Sequence, residues 1–511
     1  MNSPFLDAMA RVPDLLAAHL LLAASALVLG LVISLPLAIW SARRPLVARA
    51  ALGFASLVQT IPSLALLALF YPLLLSLSAL VGGGIPALGF LPSLLALTLY
   101  ALLPILRNGV TGLTSIDPAV IEAADGVGMT AWQKLLLVEA PLVSPVLMAG
   151  IRTAAVWTIG AATLSTTVGQ PSLGDMIFAG LQTQNWALVL AGCLTAATLA
   201  LVVDALLGVV EHGIAHRKRV RAFVALGVLG VGILAALTPM LPTGQKSVVV
   251  GAKGFSEQYI LARLIGHRLE RAGYRVTYRE GLGSAVVFGA LVSGDIDVYV
   301  DYSGTIWTNE MKRTDVPPRA AIVQGIAAWG QKTHGITMLG ALGFENAYAF
   351  AMRGEQAKKL GIATLDDLVA QAPALTFGSD LEFLERPEWA AVKRAYPLSF
   401  KSAQAYNPTF MYRAIDSGRA DVISAFSSDG RIAAQKLTVL ADPKGAIPGY
   451  DAILLVDPAH AKDDRFLNAV RPLVGHIPVA LMREANYMVD RDTNKASPEE
   501  AAKWLEARMA R

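Results

Sequence analysis

Six apolar segments, each long enough to cross a lipid bilayer, precede residue 245 of this 511-residue chain. A membrane helix needs roughly 20 consecutive apolar residues. The windows that satisfy this are 17–40, 51–80, 85–106, 143–168, 187–210 and 223–241. The first window is too long for a secretory signal, lacks a basic start and leads directly into a second span. The sequence therefore predicts an α-helical transmembrane bundle of about six spans over residues 1–242.

The basic residues of the loops predict how these spans cross the membrane. The loops after spans 2 and 4 contain no Lys or Arg, whereas those after spans 1, 3 and 5 are basic. The basic residues are Arg43, Arg44, Arg49, Arg107, Lys134, Arg217, Lys218, Arg219 and Arg221. This alternation places the N-terminus outside, the basic loops in the cytoplasm, and everything after Pro242 on the extracytoplasmic side.

The composition gives little support for several other classes of protein. The net charge is only +4, and basic loops account for it, so nucleic acid is not an expected partner. The single cysteine, Cys193, cannot form an intrachain disulfide. The seven histidines have no metal-ligand spacing. We therefore expect no metal, no cofactor and no enzymatic activity on this chain.

Between spans 3 and 4 the chain interrupts its apolar run with "EAADGVGMTAWQKLLLVEAP", residues 122–141. Asp117 followed by Pro118 has the pattern of an N-cap and a first helical residue. The helix that they start is expected to end at Gly126 or Gly128. Thr130 and the glutamine three residues later have capping-box spacing and predict a second helix, and Pro141 is expected to close the unit. On spacing alone, an ordinary polar loop is an equal alternative to a helix–turn–helix on the cytoplasmic face.

This segment resembles the "EAA loop" of bacterial ABC-import permeases. The matching residues are Glu122, Ala123, Ala124, Gly128, Val138 and Pro141, while Ala140 replaces the usual leucine. In that family the loop is a coupling helix that docks into a separate ATPase subunit. The resemblance implies that Glu122 and Asp125, which share a helix face, meet basic residues of such a partner. Because the chain contains no Gly-Lys pair, it lacks a phosphate-cradling loop, and ATP hydrolysis is expected on the partner.

After residue 246 the pattern changes to alternating strands and helices, which indicates an α/β architecture with parallel sheets. The segment 247–511 is long enough for two lobes. "GAKGFSEQYILARLI", "GALVSGDIDVYVDYSGT", "FENAYAFAM" and "YRAIDSGRADVISAFSSDGRI" resemble the periplasmic-type binding proteins for glycine betaine, choline and carnitine. The resemblance implies two α/β lobes, joined by a hinge, that trap a ligand between them.

A quaternary ammonium has no N–H donor, so it is recognised by the negative faces of aromatic rings. The resemblance places such a cage at Tyr302, Tyr348 and Tyr450, with Phe426 where a tyrosine is usual. It also assigns polar contacts with the ligand to Gln258, Thr305 and Asn346.

Together these features predict the permease and receptor subunit of an ABC importer in the inner membrane of a bacterium. The expected partners are an ABC ATPase, a second copy of the chain through the membrane domain, membrane lipid, and a quaternary-ammonium solute of the glycine betaine, choline or carnitine class. One alternative keeps the machinery and changes the solute to ergothioneine or another betaine-like compound. An alternative of another class is a membrane-anchored ligand sensor, which would need one or two spans and a cytoplasmic output domain.

Overall fold

The computed structural model describes residues 4–82, 84–183, 185–216, 218–238, 246–491 and 493–509. The predicted domain boundary at Pro242, the end of the sixth window at 239–241 and the basic residue Arg217 lie outside the described residues. The described residues form two compact units, a membrane unit and an α/β unit.

The first unit is helical, and six of its described helices are long and apolar enough to cross a membrane, as predicted. They are Val12–Arg43, Ser63–Leu80, Phe90–Thr114, Ala131–Val168, Trp186–Ala215 and Arg219–Leu237. The remaining described helices are Pro4–Met9, Pro45–Thr60, Pro118–Gly126 and Gly174–Gln182. The helix over 131–168 is composed of Ala131–Lys134, a π-helical turn Leu135–Glu139, Ala140–Ala162 and a 3-10 turn Thr163–Val168.

The predicted second span, 51–80, is wrong in one respect because the chain breaks within it. Pro45–Thr60 ends at Ile61, whose backbone is extended with ψ at 125°. Ser63–Leu80 then starts after Pro62. A proline has no backbone N–H and disfavours helical geometry in the residue before it, so one apolar window becomes two helices.

Phe90–Thr114 is the central helix of the bundle, with 61% of its apolar window buried. Small residues allow neighbouring backbones to approach it closely. A Cβ at Gly109 would lie 2.8 Å from the Ala38 Cβ, and one at Gly150 would lie 2.6 Å from the Pro104 carbonyl oxygen. Small residues at such contacts are typical of helix packing in membranes.

An ion cluster joins two of the spans. Arg152 donates from Nε and Nη2 to Asp204 at 2.9 and 2.8 Å, and from Nη1 to Glu211 at 2.9 Å. The two carboxylates lie seven residues apart on Trp186–Ala215, so they share one helix face. Charged groups within membrane spans are costly unless paired, and this pairing therefore fixes the fourth and fifth spans against each other.

The second unit has two five-stranded sheets within its described residues. In chain order the strands are β1 Ser247–Lys253, β2 Arg275–Leu282, β3 Val298–Tyr302, β4 Thr337–Glu345, β5 Tyr348–Arg353, β6 Thr376–Asp380, β7 Ser402–Tyr406, β8 Val422–Phe426, β9 Leu437–Val439 and β10 Asp451–Val456. The first sheet has the order β2-β1-β3-β10-β4, and the second has the order β7-β6-β8-β5-β9. Each sheet forms the centre of one lobe.

The prediction of parallel sheets is wrong for part of each sheet. The β1–β2, β1–β3, β6–β7 and β6–β8 pairs are parallel. However, β10 is antiparallel to β3 and β4, and β5 is antiparallel to β8 and β9. Both β5 and β10 follow a crossing of the chain from one lobe to the other, so each enters its new sheet in the opposite direction.

Helices cover both sheets and bury their apolar faces. The helices of this unit are Ser256–Arg271, Ser284–Ser293, Ser303–Thr305, Arg319–His334, Gly354–Leu360, Leu365–Gln371, Pro387–Ala395, Pro408–Asp416, Arg431–Ala434, Asp464–Val470, Val479–Asp490 and Pro498–Met509. A π-helical turn, Ile306–Glu310, and 3-10 turns at Ala372–Ala374, Phe383–Glu385 and Arg471–Leu473 complete it. Leu261, Leu264, Ile265 and Leu269 are buried on Ser256–Arg271, as their helical spacing predicts.

Candidate functional site

Two segments cross between the lobes, and they lie side by side. One joins β4 to β5 through Asn346, and the other leads into β10 through Tyr450. The backbone N–H of Asn346 donates to the carbonyl oxygen of Tyr450 at 2.9 Å. This hydrogen bond holds two predicted ligand residues together at the hinge, where the cleft between the lobes begins.

The strand ends bring the predicted aromatic residues to the same cleft. Tyr302 is the last residue of β3. Tyr348 is the first residue of β5 and pairs across the ladder with Phe426, the last residue of β8. Tyr450 immediately precedes β10. Residues that are far apart in the sequence thus meet because strand ends and crossings converge at one edge.

The rings form a continuous series along the cleft. Tyr348 lies 5.3 Å from Phe426 and 5.8 Å from Tyr450 between centroids, the latter edge-on at 88°. Phe255 completes the series, at 6.1 Å from Phe426 and 6.2 Å from Tyr302. These separations fall in the range of attractive aromatic pairs. Phe255 was not predicted, although it directly precedes the "SEQ" of the first quoted motif.

Burial keeps the cage tyrosines in their neutral form. It raises the pKa of Tyr302, Tyr348 and Tyr450 well above the usual value for a phenol. The rings therefore present uncharged π faces at physiological pH. An electron-rich, neutral wall of this kind attracts a cation without requiring a hydrogen bond.

The cleft has a volume of about 250 Å³. Drug-sized ligands occupy pockets of roughly 300–1,000 Å³, so this cleft suits a small solute. Six of the seven predicted ligand residues line it, together with residues that were not predicted. The lining residues include Lys253, Phe255, Ser284, Tyr302, Thr305, Asn346, Tyr348, Asp380, Glu382, Arg386, Phe426 and Tyr450.

Gln258, the seventh predicted residue, lies behind the cage and is not among the lining residues. Its Nε2 donates to the hydroxyl of Tyr302 and to the Val300 carbonyl oxygen, both at 3.0 Å. Its Oε1 accepts from the backbone N–H of Lys253 at 3.3 Å. Gln258 therefore positions Tyr302 from behind, and its assignment to ligand contact stays a prediction.

Glu257 was not predicted, yet its buried carboxylate accepts four side-chain hydrogen bonds. Oε1 accepts from the hydroxyl of Tyr302 at 2.6 Å and from the amide of Asn346 at 3.0 Å. Oε2 accepts from Ser428 at 2.6 Å and from Asn486 at 2.8 Å. Burial raises the pKa of Glu257, and these four bonds oppose that shift. The residue links one cage ring, one hinge segment and both lobes.

This network fixes the orientation of the Asn346 side chain. Because a carboxylate only accepts, the amide nitrogen of Asn346 must face Glu257. Its Oδ1 is buried and has no hydrogen-bond partner among the residues that the structure describes. Thr305, only 3% exposed, lines the cleft nearby. Both predicted polar residues thus line the cleft, and their contact with a ligand stays a prediction.

Arg386 supplies a buried positive charge to the cleft, next to the aromatic cage. Its guanidinium lies 5.6 Å from the centroid of Tyr348. Nη2 donates to Glu382 at 2.8 Å and to Ser284 at 3.1 Å, whereas Nε and Nη1 have no hydrogen-bond partner within 246–491 and 493–509. Ser284 belongs to the first lobe, while Glu382 and Arg386 belong to the second. These contacts therefore bridge the two lobes, and Nε and Nη1 are left without a hydrogen bond, although Nη1 lies 3.6 Å from the carboxylate of Glu388.

One group of side chains has the composition of a metal site. The potential ligand atoms of Asp297, Asp457 and His460 lie within 4.8 Å of one another. His460 is hydrogen-bonded to Asp457 at 2.8 Å, and Asp297 accepts from the backbone N–H of Val249 at 2.6 Å. These bonds account for the cluster as a link between strand ends. The expectation that the chain binds no metal stays a prediction.

The predicted helix–turn–helix is present in the first unit. Asp117 caps Pro118–Gly126 by accepting from the backbone N–H of Ala119 at 2.9 Å. Gly128 adopts φ +77° in the turn, a conformation that glycine tolerates and other residues rarely adopt. Thr130 and Gln133 form both bonds of a capping box. The helix therefore ends at the first of the two predicted glycines.

An ion pair holds the two arms of the helix–turn–helix together, the first arm being Pro118–Gly126 and the second the helix that starts at Ala131. Lys134 donates to Asp125 at 2.6 Å. Glu122 and Ala123 are exposed and Ala124 is buried, so the Glu-Ala-Ala stretch presents its acid outward and packs its last alanine. Val127 is 74% exposed and Trp132 is 66% exposed. The unit thus displays apolar side chains beside its acidic residues.

The prediction that Pro141 closes this unit is wrong. The second arm continues through the π-helical turn and through Pro141 into Ala140–Ala162. Pro141 lacks the backbone N–H that an interior helical position would use, and the π-helical turn immediately before it marks the irregularity in an otherwise continuous helix. The second arm is therefore the beginning of the fourth span.

The two halves of the chain match two known families. Residues 246–507 match the substrate binding domain of ABC-type glycine betaine transport system. Residues 34–216 match the binding-protein-dependent transport system inner membrane component.

Individual relatives match both the whole chain and its halves. The ergothioneine transport permease/ergothioneine binding protein EgtU of Helicobacter pylori (strain G27) is 30% identical over 463 residues, covering 87% of this chain and 81% of that protein. The glycine betaine/carnitine/choline transport system permease protein OpuCB of Bacillus subtilis (strain 168) is 40% identical over 194 residues, covering 38% of this chain and 84% of that protein. A solved structure of a glycine betaine/carnitine/choline ABC transporter is 26% identical, with a TM-score of 0.45, covering 52% of this chain and 98% of that chain.

The two family matches follow one another along the chain and correspond to the helical and the α/β halves described above. They indicate a multi-pass membrane protein that is a transporter subunit. The chain belongs to the family of ABC importer subunits in which a permease domain and a glycine-betaine-type substrate-binding domain are fused in one polypeptide.

Proposed function

We propose that the cleft of the α/β domain captures a small zwitterion that carries a quaternary ammonium group, and that the chain imports it. The observation that carries this proposal is the pairing of a five-ring aromatic series with a buried arginine. The rings Phe255, Tyr302, Tyr348, Phe426 and Tyr450 suit the trimethylammonium end. Arg386 has two unsatisfied N–H donors, and a guanidinium binds carboxylates well. A ligand with both groups would satisfy both ends of the cleft.

Two groups of solutes carry such a quaternary ammonium group, and among their named members only choline lacks the carboxylate. Relatives of the permease half are named for glycine betaine, carnitine and choline, and the relative that matches over most of the chain is named for ergothioneine. Phe426 lacks the hydroxyl that a tyrosine would place in the cage, so this cage differs from the pattern expected for the osmolyte group. We favour the betaine class as a whole, with ergothioneine as the second candidate.

Calorimetric titration of the purified full-length chain tests this proposal. The panel is glycine betaine, choline, carnitine and ergothioneine, with glycine and histidine as ligands that lack methylated nitrogen. The proposal predicts saturable binding of at least one methylated compound and none of glycine or histidine. Binding of glycine or histidine as tightly as the methylated compounds would contradict it.

We further propose that the segment 117–141 docks into an ABC ATPase subunit. The exposed Glu122 supplies negative charge for basic residues of the partner, while the exposed Val127 and Trp132 supply apolar contact area. The ion pair between Asp125 and Lys134 makes the two arms move as one. Because the second arm continues into the fourth span, ATP-driven movement of the partner would displace that span directly.

Co-purification of an ABC ATPase subunit with the tagged full-length chain from its own cells tests the docking. Val127→Glu introduces a charge into the proposed contact. Val316→Glu, at another exposed valine (47%), is the matched control. We expect Val127→Glu to reduce the recovered ATPase at least fivefold and Val316→Glu to leave it unchanged. Equal recovery with both variants would rule out this docking surface.

The basic loops support an extracytoplasmic position for the α/β domain and a cytoplasmic position for 117–141. In this arrangement the chain lies in the inner membrane of a bacterium, in contact with lipid, and two copies pair through their membrane domains. Protease added to spheroplasts should then remove an epitope tag placed after Arg511 and spare one inserted at Gly128. Protection of the C-terminal tag would overturn the proposed orientation. The pairing is tested separately by measuring the mass of the purified chain in detergent by light scattering, and the mass of a monomer would overturn it.

A further inference from the structure

Asp380, the last residue of β6, has one carboxylate oxygen that nothing in the described protein uses. The residue lines the cleft and is only 4% exposed. Oδ1 accepts from the backbone N–H groups of Glu382 and Phe383 at 2.8 and 3.2 Å. Oδ2 is buried and has no hydrogen-bond partner within the described part of the α/β domain.

An unsatisfied buried oxygen of this kind is uncommon in folded proteins. Burial raises the pKa of Asp380, while the charge of Arg386 and the two backbone bonds oppose that shift. Arg386 acts here through space, because its described hydrogen bonds are made to Ser284 and Glu382. The carboxylate is thus held in the cleft with one acceptor available. A buried polar atom without a partner calls for an explanation, and a donor on the ligand would supply one.

The trimethylammonium group that the cage suits cannot supply that partner, because it has no N–H. The donor must therefore come from another part of the ligand. Choline and carnitine each carry a hydroxyl, and ergothioneine carries ring N–H groups. Glycine betaine has no donor at all.

We propose that Asp380 is a specificity-determining residue that selects quaternary-ammonium ligands bearing a hydrogen-bond donor over those that have none. This inference rests on the proposed function of the cleft. A site that contains a buried hydrogen-bonding group rejects analogues that leave it unpaired more strongly than it rejects analogues that differ by a methylene. Glycine betaine would bind with Oδ2 still unsatisfied and would be discriminated against for that reason.

The test uses Asp380→Asn in the full-length chain. Asparagine keeps Oδ1 to accept from Glu382 and Phe383, so the local fold is retained, but it replaces the free oxygen with an NH₂ donor. Asp416→Asn, at an exposed aspartate that ends Pro408–Asp416, removes the same charge away from the cleft and is the matched control. Thermal unfolding without ligand verifies that both variants are folded.

Ligands are compared in pairs that differ only in the donor: carnitine with γ-butyrobetaine, and choline with propyltrimethylammonium. Ergothioneine and glycine betaine are titrated alongside them. In the wild-type chain the donor-bearing ligands should bind at least tenfold more tightly than their donor-free partners. Asp380→Asn should weaken the donor-bearing ligands at least tenfold and change the donor-free ones by less than threefold. Asp416→Asn should change neither group.

Each contrary outcome has a distinct meaning. An equal loss for both members of a pair would show a general charge effect and overturn the selectivity inference. Unchanged binding in Asp380→Asn would overturn it as well, because the ligand's donor would then not depend on the carboxylate oxygen. If the wild-type chain binds ergothioneine alone, the inference stands only if Asp380→Asn weakens that binding tenfold. If the wild-type chain binds no member of the panel, the proposed function itself fails.

Discussion

Replacing Tyr348 is the sharpest perturbation of the cage, because this ring packs against two other rings of the series. It contacts Phe426 and Tyr450 at 5.3 and 5.8 Å and is only 8% exposed. A cation held against it is therefore largely removed from water. A desolvated cation–π contact contributes about 2 kcal/mol. Since each 1.4 kcal/mol is a factor of ten in affinity, Tyr348→Leu should weaken binding of the preferred ligand about 30-fold.

Tyr348→Phe is the matched variant, because it keeps the ring and removes only the hydroxyl. Its affinity should stay within about threefold of the wild-type value. Trp504→Leu, on the C-terminal helix Pro498–Met509, controls for the loss of an aromatic residue outside the cleft. Dissociation constants are measured by calorimetric titration of the full chain, and unfolding midpoints without ligand exclude a general loss of structure.

Two results would refute this reasoning. Binding by a folded Tyr348→Leu variant within threefold of the wild type would show that the ring does not hold the cation. An equal loss in Tyr348→Phe would show that the hydroxyl matters instead of the π face. Either result would indicate that the aromatic rings pack against one another as part of the hydrophobic core and do not bind the cation.

Three further predictions follow from the contacts described above. Glu257→Gln places an NH₂ group opposite buried donors, at a cost of about 1–3 kcal/mol. Titration should therefore show ligand binding weakened about tenfold or more. Unchanged affinity would contradict the role of Glu257 in positioning Tyr302 and Asn346. The hydrogen bond to Asp457 raises the pKa of His460 above its usual value of 6.5, so its contribution to stability is complete below that value and is lost as the pH rises through the raised pKa. His460→Gln should therefore remove this part of the fall in unfolding midpoint as the pH is raised above 6.5, and an identical pH profile would refute it. Arg152→Met leaves two carboxylates unpaired in the membrane unit and should cost up to about 3 kcal/mol, seen as a lower unfolding midpoint in detergent than that of the wild-type chain, with Arg152→Lys in between. A midpoint of Arg152→Met equal to that of the wild type would show that the ion cluster contributes nothing.

The features that the sequence predicted well are local ones. The cap at Asp117 and the capping box at Thr130 depend on residues two or three positions apart, and both are present in the structure. The six spans depend on runs of apolar residues and are confirmed by length and composition. The break at Ile61 also had a local signal, since Pro62 lies in the middle of the second window.

The site was only partly predictable, because it depends on which strands pair. Family resemblance identified Tyr302, Tyr348 and Tyr450, and these rings do gather in one cleft. Asp380 and Arg386 gave no signal, because an acid after a strand and an arginine before a helix are common features. Their significance arises from burial between lobes and from unsatisfied atoms, which only coordinates reveal.

Strand direction and ion pairing show the same limit. Alternating strands and helices favoured parallel sheets, but the chain crosses between lobes before β5 and β10 and reverses their direction. In the membrane unit, Asp204 and Glu211 stand seven residues apart within an apolar run. That spacing was a usable signal that a basic partner such as Arg152 must lie on a neighbouring helix.

The most direct test of the account compares a charged ligand with its uncharged isostere. The preferred trimethylammonium ligand and an analogue in which a tert-butyl group replaces that end are titrated against the wild-type full-length chain. Recognition by the π faces predicts that the neutral analogue binds at least tenfold more weakly, although its shape is almost identical. Equal affinities for the two compounds would show that the cleft selects apolar bulk, and the central claim that it recognises a quaternary ammonium cation would be wrong.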